Sequence, residues 1–138
     1  MSNGIDDPNE LHALAAVAMD HAFRSIQPRG PLMPFALTEG PSGRQLVRAV
    51  ADRLEEMLAA TRRLVFDSQE PVRAVVAWDG FSRHAGRRMD AIFVEAYESG
   101  AAGGILIVQT YESKGLLKRR NDPVGEPGIL ERGRPPLF

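Results

Sequence analysis

Three segments in the second half of the chain constrain the fold most. Val72–Trp78 and Gly103–Tyr111 are rich in β-branched and aromatic residues, without the polar alternation of a strand that has one wet face. Between them, residues 86–99 fit two periods. Met89, Ile92, Phe93, Ala96 and Tyr97 would line a helix, whereas Met89, Ala91, Phe93 and Tyr97 also line one side of a strand. Charge decides for the strand: a helix would set Arg87 and Arg88 at its positive end and Glu95 and Glu98 at its negative end, both against the macrodipole. A hairpin through Phe81–Arg87 then joins the first two strands.

Pairing Asp79 with Arg88 places Val72, Ala74, Val76 and Trp78 beside Met89, Ala91 and Phe93 on one face. The other face collects Val75, Ala77, Ile92, Val94 and Ala96, with Ile105, Ile107 and Tyr111 from the third strand. Both faces are too apolar to meet water. Two helices can split across them, or both can pack on one face and leave the other for a second subunit.

Two helices are expected upstream. Asp7 as cap, Pro8 at the first position and Glu10 as the reciprocal partner start one at residue 8, with Leu11, Leu14, Ala15, Ala18, Ala22 and Ile26 on one face until Pro28 and Gly30 end it near residue 27. Pro31 and Pro34 make residues 31–38 an edge strand. Ser42 with Gln45 reads as a second capping box, opening a long helix over 43–65 through Leu46, Val50, Leu54, Met57, Leu58, Thr61 and Val65. From residue 113 onward, four prolines and scattered glycines give a basic arm or disordered tail, with six cations against three acids. The expectation is an α+β two-layer domain over 1–112: N-terminal helix, edge strand, long helix and a three-stranded antiparallel meander, followed by an extended arm over 113–138. A βαβαβ arrangement replaces it if 86–99 is helical.

At 138 residues and a net charge of −1, the chain suits one domain and not a dedicated nucleic-acid binder. It has no cysteine, which removes thiol chemistry, Cys-ligated metals and disulfides together. The acidic start lacks an apolar leader, and the longest apolar run, Ala101–Val108, is far short of the roughly 18 residues of a bilayer span, so a cytoplasmic location without membrane contact is expected. Arg supplies 15 of the 17 cations, in keeping with a GC-rich bacterial composition.

Several residues invite a chemical reading beside a plainer one. His12 and His21 fall on opposite sides of one helix and His84 lies in the hairpin, so no metal or cofactor is expected. Gly80-Phe81-Ser82-Arg83-His84 begins like G-x-S-x-G but ends in histidine. Ser42, Gly43 and Arg44 at a helix start suit an anion, or are simply a capped turn. Glu95 is either a desolvated general base or the partner of a helix arginine. Arg83, His84, Arg87 and Arg88 form a basic hairpin tip able to meet an acidic protein or nucleic acid.

The leading expectation is a non-catalytic interaction module that forms a homodimer through Val75, Ile92, Val94, Ile107 and Tyr111 or through its arm, with the basic tip turned to a partner. The alternative is a small enzyme or anionic-ligand binder with Thr38, Ser42, Gly43, Arg44, Asp79 and Ser82 converging at the strand ends. Nucleic-acid binding through the basic hairpin stands third.

Overall fold

The computed structural model describes residues 8–27, 32–68, 71–84, 86–114 and 120–138. The elements are α1 (Pro8–Ser25), β1 (Phe35–Gly40), β2 (Gly43–Val47), α2 (Leu54–Asp67), β3 (Arg73–His84), β4 (Arg87–Glu98), β5 (Gly104–Lys114), β6 (Arg120–Pro123) and β7 (Gly128–Arg134). Every strand pair is antiparallel, in the order β2-β1-β3-β4-β5-β6, and β7 shares the outer edge of β5 with β6. The protein is therefore α+β, and the βαβαβ alternative falls because 87–98 is strand.

The sheet has a helix on each face. α1 lays Leu14, Ala15, Ala18, Ala22 and Ile26 over Val75, Ala77, Ile92, Val94 and Ala96. Each larger aliphatic buried there contributes roughly 1.5–3 kcal/mol. On the opposite face Val65 of α2 meets Ala36, Ala74 and Val76, and Leu137 and Phe138 close over the same cluster. Three layers replace the two expected. Val75, Ile92 and Val94 are fully buried by the chain's own helix, so they are core and not the exposed contact surface proposed for them; Ile107 and Tyr111 pack against the same core.

The long helix expected over 43–65 is two elements. Gly40 and Gly43 flank a tight reversal at Pro41-Ser42, with Gly43 at φ +90°, and residues 43–47 return along β1 as β2. The second helix begins only at Leu54, where Glu55 and Glu56 suit its positive end. Strand pairing wins because it satisfies the outer backbone of β1. β1 is thus internal, between β2 and β3, and Pro34 precedes it and removes no ladder donor. Residues expected as an arm supply β6 and β7. Asn121 of β6 donates from its side chain to the Ile26 carbonyl at the end of α1 and from its backbone to Gln27, which ties this segment to the first helix. The expected cap Asp7, the stops Pro28 and Gly30, and Pro31 lie outside the described residues.

Candidate functional site: a basic hairpin tip

β3 and β4 pair without interruption from Arg73↔Glu98 to His84↔Arg87. β1 accompanies β3 only as far as Ala77, and β5 accompanies β4 only from Asp90. Residues 80–84 and 87–89 consequently continue as a two-stranded ribbon without a further ladder partner among the described residues, about 15 Å long at the usual rise per residue, beside the end of β5, whose Glu112 lies 3.9 Å from Arg87. Arg88 faces Arg83 across the ribbon and stacks on the Phe81 ring, its guanidinium carbon 3.9 Å from the centroid. Phe81 stays 52% exposed, and Arg83, Arg87 and Arg88 are exposed. The β5–β6 hairpin ends at the same side of the sheet, where Lys114 and Arg120 are register partners. Between the two hairpins lies an open cleft of about 350 Å³ lined by Arg87, Arg88, Asp90, Tyr111 and Glu112.

Just inside the tip, Tyr111 donates a 2.8 Å hydrogen bond to Asp79, which also accepts from the Leu32 amide. Burial holds the Asp79 carboxyl above its ordinary value, with the nearby Asp90 charge adding to the effect; burial also raises the Tyr111 phenol. The pair fixes the approach to β1 and the base of the ribbon.

The residues expected to converge at the strand ends do not meet. Ser42, Gly43 and Arg44 sit at the β1–β2 turn, beside the first residues of β3, whereas Asp79 and Ser82 lie toward the other end of that strand, on the order of 20 Å away. Their convergence required parallel strands. Arg44 is exposed and paired with Glu39 at 3.0 Å, and no helix begins at Ser42 to hold an anion. Ser82 lies within a strand, without the turn into a helix that the nucleophile motif needs.

Glu95 is the helix-arginine case. It is fully buried on the α2 face, where Arg62 of α2 donates from Nε at 2.5 Å and from its terminal nitrogen at 3.2 Å. The Tyr97 hydroxyl donates at 2.9 Å and Arg134, at the end of β7, approaches to 3.1 Å. A carboxylate engaged by two guanidiniums and a phenol is a clamp between α2, β4 and β7, not a free base. Burial and the Glu95 charge push the Tyr97 phenol up to about 12. Arg62 was foreseeable as a helix arginine; Arg134 was not, since nothing local to residue 134 announces a partner in β4.

Among the described residues no group of three His, Asp or Glu side chains is placed to hold a metal, and no helix is long and apolar enough to cross a membrane. No family model, curated protein or solved structure matches the chain.

Proposed function

We propose that the chain is a non-catalytic interaction module whose β3–β4 ribbon docks on an acidic protein surface. The observation that carries this reading is a two-stranded ribbon with three exposed arginines and the Phe81 ring, two of the arginines directly opposed. Like charges face to face cost stability, so their arrangement suits a partner that neutralises them. Asp90 and Glu112 stand among these arginines in the adjoining cleft. A continuous phosphate backbone would meet both acids, whereas individual carboxylates of a protein can be placed between them.

Fluorescence anisotropy with a labelled poly-glutamate 20-mer and a 20-base-pair DNA duplex, from 50 to 200 mM NaCl, tests this. Wild type is expected to bind poly-glutamate, and the double variant R83E/R88E to bind it about tenfold more weakly, equal to about 1.4 kcal/mol. Unchanged affinity in the variant overturns the reading. Duplex binding with a steep salt dependence, lost in the same variant, reassigns the tip to nucleic acid.

A further inference from the structure

We infer that the groove between α1 and the outer edge of β7 is a second docking site, for an extended peptide that adds a strand to β7. β7 hydrogen-bonds to β5 on one side, and among the described residues no strand pairs with its other side. Six of its seven residues are exposed, including Ile129 and Leu130 at 42% and 56%. An open strand edge is a template for an extended chain.

A second observation stands beside it. Between α1 and the face shared by β5 and β7 lies an apolar groove of about 250 Å³, lined by His12, Ala15, Ala16 and Met19 of the helix, Ile107 of β5 and Ile129 of β7. An edge strand flanked by a helix, with an apolar groove between, is the arrangement by which β-strand addition gains specificity: the backbone ladder supplies affinity and the groove selects alternate side chains. The opposite edge lacks this. Beside β2 the hollow is lined by Thr38, Glu39, Ser42, Gln45 and Ser68, polar side chains that offer an aliphatic group little.

Charge narrows the occupant. Arg132 is exposed and is the register partner of Ile105, whose side chain packs toward α1, so Arg132 shares the groove's face. Glu131 is already held by Arg134 at 3.1 Å. The fitting peptide carries an apolar side chain opposite Ile129 and an acidic one within reach of Arg132. A second copy of this chain fits less well, because a two-fold pairing of β7 with itself at full overlap sets one Glu131 directly against the other.

A displayed library of random 12-residue peptides, selected in parallel on wild type and on A16E, tests the inference. Ala16 is exposed, so the glutamate fills the groove without disturbing the core. Expected is a consensus pairing an aliphatic with an acidic residue, and a synthetic peptide of that consensus that binds A16E at least tenfold more weakly by calorimetry. R132E should weaken the same peptide, while R83E/R88E leaves it unchanged, which separates this site from the ribbon. No enrichment on wild type over A16E overturns the inference. So does sedimentation showing a wild-type dimer that A16E dissociates, since the occupant is then a second copy.

Discussion

The two ends of β3 use arginine in opposite ways. At the start of the strand Arg73 is 9% exposed and reaches Glu10 of α1, Glu39 of β1 and Glu98 of β4 at 2.8–3.2 Å, so one guanidinium binds three elements. At the far end Arg83 faces Arg88 in water. The first end uses its charges to hold the fold, whereas at the second Arg87 meets Glu112 only at 3.9 Å and the opposed Arg83 and Arg88 remain exposed. It is this contrast on which the proposed docking role of the ribbon rests.

That contrast can be broken at several points. The largest effect belongs to Glu95, the fully buried counterpart of the Arg73 cluster: Glu95→Ala removes the carboxylate that Arg62, Arg134 and Tyr97 share and should cost about 4 kcal/mol in urea unfolding. Arg73→Ala leaves three carboxylates together and should cost about 3 kcal/mol, with Arg73→Lys recovering only part, because one ammonium does not reproduce the planar fork. At the other end the sign reverses. Arg83→Glu converts an opposed like pair into an attractive one and should raise stability by about 0.5 kcal/mol while weakening poly-glutamate binding. A loss of stability there comparable to that of Arg73→Ala would erase the distinction between the two ends.

The smallest effect sits between them. Because the folded state raises the Asp79 carboxyl, it binds that proton more tightly than the unfolded chain does. The associated stability is complete below the ordinary value of 3.8 and is lost as pH rises through the folded value. Asp79→Asn removes this loss, so the variant's Tm should gain on wild type from acid toward neutral pH, by about 1–2 °C.

The part of the fold that the sequence reveals is the part where side chains settle the conformation. Val75, Ala77, Ile92 and Val94 share a face as their alternation predicts, although Arg88 pairs with Arg83 and not with Asp79. A shift of four residues preserves parity, and faces depend on parity alone. The second helix is present from Leu54, and its expected first part, residues 43–53, failed for a related reason. Leu46 and Val50 match a helical period, yet Val50 is 98% exposed and Leu46 51%, so those apolar side chains select no conformation, while the Gly40–Gly43 reversal does. β6 and β7 were hidden because neither carries the alternation of a half-buried strand: β6 is Arg-Asn-Asp-Pro and six of the seven residues of β7 are exposed. At the tip the arginines were legible as a cluster, but the length of ribbon that carries them depends on where β1 and β5 stop pairing.

Gln109 is buried at the place where β6 gives way to β7 along β5, and its side-chain amide donates to the carbonyls of Val124 and Gly125. The seam of the sheet is therefore stapled at its midpoint as well as at Asn121 and Arg134. Neither short strand is held by its backbone ladder alone, so a break in the ladder at one end leaves side-chain anchors in three different places.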